Sequence, residues 1–388
     1  MATAMTGYVV GEDSSERAIQ RYLMRLRAHH HELSTGRGRQ GLAVPTLNTA
    51  DGALVKGAPA TEPAADAQLP RILITGVAGF IGSHVAEAML HRGFYVVGID
   101  NFDPYYDPAI KRANVRAVAK HPRFTLTEGD ILSAACLDEA FEHGPFGAVI
   151  HLAAKAGVRP SLSDPSLYEA VNVGGTIGLL RRLTSQSAMH IVFGSSSSVY
   201  GTDTKPPFEE TASADRPASP YAATKRSAEL QLHAYHHIYG FPVTCLRFFT
   251  VYGPRQRPEM AIHFFTRLIA EGKPVPMYGD GTSLRDYTFI DDIVAGIVRA
   301  VVTPSGYRIF NLGTTQTTRL RDLMELIAKY LGKPLYIQQF PEQSGDVPLT
   351  IADISRAVTE LGYKPTIPLS VGLRRFVDWY LSQEERPG

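Results

Sequence analysis

The clearest pattern in the chain begins at Arg71, where RILIT forms a short unbroken apolar run, the signature of a strand buried on both faces. Glycines follow at once at 76, 79 and 82, and then Val85, Ala88 and Met89 recur at helical spacing until Gly93 stops the helix. A second apolar run, Tyr95 to Ile99, ends at Asp100. The same alternation continues with FTLT before Glu128, Ala148 to Leu152, a helix carrying Asn172, the run HIVFG, and a helix from Tyr221 to about Tyr239. Strands alternating with helices predict an α/β fold with a doubly wound parallel sheet.

The pattern upstream is different. Residues 34 to 70 are rich in Gly, Ala, Pro and Thr without periodicity and read as a flexible linker. Before it, Ser14 or Ser15 can cap a short helix that gathers Ile19, Tyr22, Leu23 and Leu26 on one face. Either that helix docks on a surface or it belongs to a dispensable extension, and composition favours the second. The expected division is an extension over 1–70, a dinucleotide-binding domain over 71–250 to which 288–312 return, and a smaller substrate-binding lobe from 251–287 and 313–388.

Composition narrows the function. With 39 basic and 38 acidic residues the charges nearly cancel, so neither nucleic acid nor an anionic membrane is indicated as a partner. Cys136 and Cys245 stand far apart and outside any CxxC, which predicts no disulfide framework and no metal site, and fits the cytoplasm. No apolar run approaches the ~18 residues of a spanning helix.

The glycine loop carries the first chemistry. Gly76, Gly79 and Gly82, followed by Phe80 and Ile81 at the helix start, let the backbone approach a pyrophosphate whose charge sits on the helix N-terminus. Asp100 closes the βαβ unit, where a carboxylate accepts the adenosine ribose hydroxyls and repels a 2′-phosphate, so NAD is expected over NADP. Asp130 and Ile131 follow the third strand, and Leu152, Ala153, Ala154 and Lys155 the fourth, at the sheet edge where ligands bind. The run Ser195 to Ser198 reaches the same edge, its hydroxyls facing the nicotinamide.

Tyr221 and Lys225 are four apart and share a helical face. An ammonium ~4 Å from a phenol contributes ~4 kcal/mol at an effective dielectric of ~20, enough to bring a pKa of ~10 towards 7. Tyr221 is then a candidate base for a sugar hydroxyl.

In this order and spacing, these residues resemble the extended short-chain dehydrogenase/reductase family over essentially residues 71 to 388. Within it, the stretches GIDNFDPYYDP, HLAAKAGVRPS, SSSSVYGTDTKPPFEE, PASPYAATK, RFFTVYGPRQRPEMA and RDYTFIDDI are similar to the UDP-glucuronate 4-epimerase branch. The resemblance implies that Tyr221 is the base, that Lys225 orients the nicotinamide ribose, and that Ser196 bonds the reacting hydroxyl. It also implies that Asn172 is the family's structural asparagine and that the protein is a homodimer built on the helices around Asn172 and Tyr221. A UDP-sugar substrate would meet Arg159, Ser197, Ser198, Thr250, Arg257 and Arg285. Lys155 and Pro160 depart from the branch, which commonly has Gln and Tyr there. A neutral-sugar 4-epimerase, a 4,6-dehydratase, a UDP-glucuronate decarboxylase and a non-catalytic NAD-sensing protein remain alternatives at this level.

Overall fold

The computed structural model describes Arg17, Gln20, Arg21, Tyr22, Met24 and residues 70–184, 190–342 and 348–384. The first part alternates strand and helix: β1 (Arg71–Thr75), α1 (Phe80–His91), β2 (Tyr95–Asp100), α2 (Pro108–Val115), β3 (Phe124–Glu128), α3 (Ala134–Glu142) and β4 (Ala148–His151). Two short helices, α4 (Val158–Ser163) and α5 (Pro165–Glu169), lead through a π-helical turn (Ala170–Gly174) into α6 (Gly175–Leu183). Then come β5 (His190–Ser196), α7 (Pro220–Tyr239) and β6 (Val243–Phe248).

Seven strands form one parallel sheet in the order β3, β2, β1, β4, β5, β6 and β11 (Tyr307–Leu312). The unbroken apolar runs have a direct cause in this arrangement. Successive residues point to opposite faces, so Ile72 and Ile74 enter one core while Leu73 enters the other. Val192 and Phe193 of β5 divide in the same way. Val85 and Met89 of α1 close the first face; Leu137 of α3, Leu179 of α6 and Leu232 of α7 close the second. Each such side chain contributes roughly 1.5–3 kcal/mol on full burial. Strand order reverses between β1 and β4, which opens a crevice at their carboxyl ends.

The remaining chain builds smaller pieces on the first face: β7 (Thr250–Tyr252), α8 (Ala261–Ala270), β8 (Val275–Tyr278), β9 (Leu284–Arg285), β10 (Tyr287–Phe289) and α9 (Ile290–Val302). After β11 follow β12 (Thr318–Arg319), α10 (Leu320–Leu331), β13 (Ile337–Phe340), β14 (Leu349–Thr350) and α11 (Leu369–Glu384). β7 pairs with β10, β8 with β13, and β9 with β12 and β14. Phe265, Leu323 and Phe376 belong to the same hydrophobic cluster as Val85, so this lobe and the sheet share one core.

The N-terminal segment corrects one expectation. Arg17, Gln20, Arg21, Tyr22 and Met24 are helical, and Tyr22 is only 6% exposed, its ring in the sheet's first core and its hydroxyl donating to the Gly147 carbonyl at 3.1 Å. Residues 1–70 therefore do make a core contact, at the edge of the sheet opposite the crevice. The proposed cap, Ile19, Leu23, Leu26 and the linker up to residue 69 lie outside the described residues. Among the described residues, no helix is long and apolar enough to cross a membrane.

Candidate active site

The crevice is a cavity of about 480 Å³ between the carboxyl ends of the strands and the lobe. Gly76 leaves β1 at φ +72°, in the left-handed region that glycine tolerates, and its N–H donates to Ile99 O at 2.8 Å. A Cβ on Gly82 would lie 2.1 Å from Gly76 O, so the first turn of α1 can rest on the loop only as glycine. Gly79 caps α1 without a side chain, which leaves the helix-end N–H groups facing the cavity for an anion.

At the end of β2, Asp100 Oδ2 accepts Ala78 N–H and Oδ1 accepts Phe102 N–H, both at 2.9 Å. Burial raises its pKa, while the two N–H groups and Lys111 draw it down. Each oxygen keeps a lone pair for a ribose hydroxyl. Asp130, Ile131, Leu152, Ala153, Ala154 and Lys155 complete this half of the wall. Asn172 does not line it. Its carboxamide accepts Lys155 N–H at 2.8 Å and donates to Lys155 O and Thr224 Oγ1 at 3.0 Å, bolting the loop after β4 to α7.

Helix α7 starts where Ser219 Oγ accepts Ala222 N–H and Pro220 occupies the first turn. This presents Tyr221 and Lys225 to the cavity. Lys225 donates to the Gly194 carbonyl at 2.8 Å over the Phe193 ring, and burial lowers its pKa to about 8. For Tyr221, burial raises the pKa, against which a hydrogen bond with Ser196 and the positive charge of Arg257 act. The expectation that Lys225 alone brings the phenol near neutrality is thus corrected: its ammonium is committed to the strand backbone.

The serine cluster divides. Ser196 Oγ accepts Ser198 N–H at 3.2 Å and stands by Tyr221, whereas the Ser195 hydroxyl turns away and donates to Glu229 at 2.6 Å. The four hydroxyls therefore do not face the site together. Ser197, Ser198, Thr250 and Arg257 do line the cavity. Arg159 lies 5.4 Å over the Tyr278 ring and Arg285 donates to Leu284 O; neither is in the wall. Sequence reasoning missed Asp103, Tyr105 and Lys111, which line the cavity from the loop after β2 and the start of α2. Asp103 and Tyr105 lie within NFDPYYDP, and Lys111 three residues beyond it.

The sequence profile of the NAD dependent epimerase/dehydratase family matches residues 72–313. The chain belongs to this family. Its relatives include "UDP-glucuronate 4-epimerase 4" of Arabidopsis thaliana, 45% identical over 331 residues that cover 80% of this chain and 75% of the relative. A crystal structure of UDP-glucuronic acid 4-epimerase from Bacillus cereus, in complex with UDP-glucuronic acid and NAD, superposes with a TM-score of 0.76. It is 36% identical and covers 81% of this chain and 99% of that one. UDP-glucose 4-epimerase of Thermotoga maritima, with UDP-glucose, gives a TM-score of 0.75 at 31% identity over 81% of this chain and 100% of that one.

The cofactor of this epimerase/dehydratase family member is NAD, and the site fits it. The uncapped helix end would hold the pyrophosphate and Asp100 the ribose, with Lys225 and Tyr221 at the nicotinamide end of the same cavity.

Proposed function

We infer that the protein interconverts UDP-glucuronate and UDP-galacturonate by epimerisation at C4. Bound NAD accepts a hydride from the sugar and gives it back. Tyr221 takes the proton of the C4 hydroxyl and later returns it, Ser196 holds that oxygen, and Lys225, seated on the Gly194 carbonyl, orients the nicotinamide ribose. The 4-keto sugar turns over between the two transfers, so anchoring falls on the nucleotide diphosphate. Arg257, on the lobe side of the wall, is its partner.

One observation carries the uronate reading: the cavity's three carboxylates, Asp100, Asp103 and Asp130, all stand on the β2 and β3 side. Around Tyr221 the wall offers the hydroxyls of Ser196, Ser197, Ser198 and Thr250 and the charge of Arg257 instead. An anionic sugar is received there without repulsion. Equally, among the described residues the wall around Tyr221 has no carboxyl group to shuttle protons at C5 or C6, as dehydration or decarboxylation would require. The test is UDP-glucuronate conversion followed by proton NMR with trapping of labelled carbon dioxide. UDP-galacturonate is the expected product, and UDP-xylose or a UDP-4-keto-pentose as the main product would overturn the reading.

The assembly belongs to the same proposal. Leu230 and Ile238 of α7 are 54% and 67% exposed, with Ala223 and Ala234 on the same stripe, and Leu167 lies exposed on neighbouring α5. A second copy covering these faces by two-fold symmetry gives a homodimer. Light scattering that found only monomer at micromolar concentration would refute it. Both cysteines are buried free thiols, which suits the reducing cytoplasm.

A further inference from the structure

We propose that Glu229 is a positioning residue of the epimerase reaction, locking the seryl end of β5 to α7 so that Ser196, Tyr221 and Lys225 keep their mutual register. The inference rests on the epimerase reading and adds a residue that touches neither substrate nor cofactor.

Glu229 stands one helical turn beyond Lys225 and two beyond Tyr221, fully buried. Its Oε1 accepts from Ser195 Oγ at 2.6 Å and Arg247 Nε at 2.9 Å, and its Oε2 from an Arg247 terminal nitrogen at 2.8 Å and Arg226 at 3.1 Å. Arg247, on β6, is itself 1% exposed and lies 4.7 Å over the Tyr200 ring. One carboxylate thus gathers donors from β5, β6 and its own helix.

A buried ion pair is a poor device for stability alone, because desolvating both charges offsets their attraction and an apolar pair of similar volume often serves as well. What this pair does hold is specific. Three successive residues of β5 meet three positions on α7: the Gly194 carbonyl receives Lys225, the Ser195 hydroxyl bonds Glu229, and Ser196 stands by Tyr221. Glu229 anchors the middle of that row, between the residue that seats the lysine and the residue that meets the base.

The charge has a second consequence. Lys225 is faced by Glu229 on its own helix, Cys245 on β6, His151 on β4 and the Phe193 ring on β5. Burial holds the Cys245 thiol far above its ordinary range and His151 far below, so both are neutral and Glu229 is the anion acting on the ammonium. An anion one helical turn away raises the pKa of the Lys225 ammonium against the effect of burial.

The experiment compares the parent with Glu229→Gln and with Glu229→Leu/Arg247→Met, which removes both buried charges together. All are NAD-loaded, with circular dichroism and bound NAD measured alongside kinetics on UDP-glucuronate and UDP-glucose. In Glu229→Gln, kcat is expected to fall at least tenfold with KM within threefold, NAD content unchanged, and the alkaline limb of the kcat profile moved down by at least about 1 pH unit. The double variant, which keeps the fold if the single one does not, should retain the tenfold loss because Ser195 has no anchor. If the folded, NAD-loaded double variant turns over within twofold of the parent, or Glu229→Gln leaves both kcat and the alkaline limb in place, the proposal fails. A parent inactive on UDP-glucuronate but active on UDP-glucose would instead overturn the substrate assignment, and Glu229 would be judged on the neutral sugar by the same criteria.

Discussion

Lowering the pH from 7.5 to 5.5 should cost the fold about 4 kcal/mol through three buried histidines. His84, His151 and His190 are at most 5% exposed, and burial lowers their pKa values to about 3, 3 and 4. Burial is the main cause in all three, opposed at His84 and His190 by bonds to the Pro254 and Val301 carbonyls, and at His151 the hydrogen bonds also leave no room for a second proton. Thr176 donates its only hydroxyl hydrogen to Asn172 O at 2.6 Å, so it must accept from His151 Nε2 at 2.9 Å. His151 Nδ1 therefore accepts from Thr75 Oγ1 at 2.7 Å, and that oxygen accepts Ala153 N–H at 3.2 Å. The chain runs from the cofactor wall to Asn172 in one direction, and a second proton on His151 would break it. The unfolded chain, with histidines at ~6.5, binds more protons than the fold at every pH below that value, so stability is complete above ~6.5 and falls as pH drops towards 4. At pH 5.5 each group costs ~1.4 kcal/mol, against a total stability of ~5–15 kcal/mol. Asp100, Asp286, Asp291 and Asp292, held above the usual carboxylate range by burial, act in the opposite sense and trim the loss at lower pH. Guanidinium unfolding followed by circular dichroism at the two pH values measures the difference, and His190→Gln should remove about a third of it. Equal stability within ~1 kcal/mol would refute the reasoning.

Tyr221→Phe deletes one hydroxyl and should lower turnover at least ~100-fold while the purified protein still carries NAD, quantified after denaturation; substantial residual epimerisation would point to another base. Tyr22→Ala should destabilise by ~3 kcal/mol through loss of a buried ring, with kcat and KM unchanged; an unaltered denaturation midpoint would show that the N-terminal helix does not dock. Lys155 Nζ lies 2.7 Å from Asp103 Oδ2, joining the loops after β4 and β2 across the end of β1. Lys155→Gln should therefore release NAD several-fold faster, and should remove the salt dependence of that release, as read by gel filtration of the loaded enzyme.

The sheet was legible because a strand buried on both faces leaves an unbroken apolar run, and RILIT or HIVFG can hardly be anything else beside a glycine loop. Asp100 was legible for the same reason, since a strand's end fixes where its last side chain goes. The serine cluster was not: four identical residues give no sign that the hydroxyl of Ser195 belongs to Glu229, a contact set by how α7 packs on β5. Nor do Arg255 and Arg257 differ in sequence. Arg255 adopts φ +66° and turns back to Glu87 of α1 at 2.6 Å, which leaves Arg257 to the cavity. Tyr22 stands ahead of a stretch without periodicity, so its partner across 125 residues of chain could not be anticipated.

The two halves of the cavity differ in how firmly they hold what enters, and the difference suits a reaction that must present both faces of one carbon. On the cofactor side the wall is backbone: Gly76 and Ala153 pack so closely that a Cβ on Gly76 would meet Ala153 N at 2.8 Å, and Asn172 pins the adjoining loop. The lobe is tied to α1, the helix that follows the glycine loop, for Arg255 pairs with Glu87 and His84 bonds Pro254 O at 3.0 Å. The lobe and the cofactor side of the cavity therefore share a rigid reference. On the sugar side the short polar groups of the wall are hydroxyls, set among apolar residues such as Phe248 and Met260. A guanidinium would bind a carboxylate through two parallel bonds and fix one pose. Ser197, Ser198 and Thr250 can each rotate a single donor towards a carboxylate in more than one orientation. On the proposed reading, neutral, rotatable donors would accept the uronate both before and after the keto sugar turns, and Arg257 would be left to the diphosphate, which must not move.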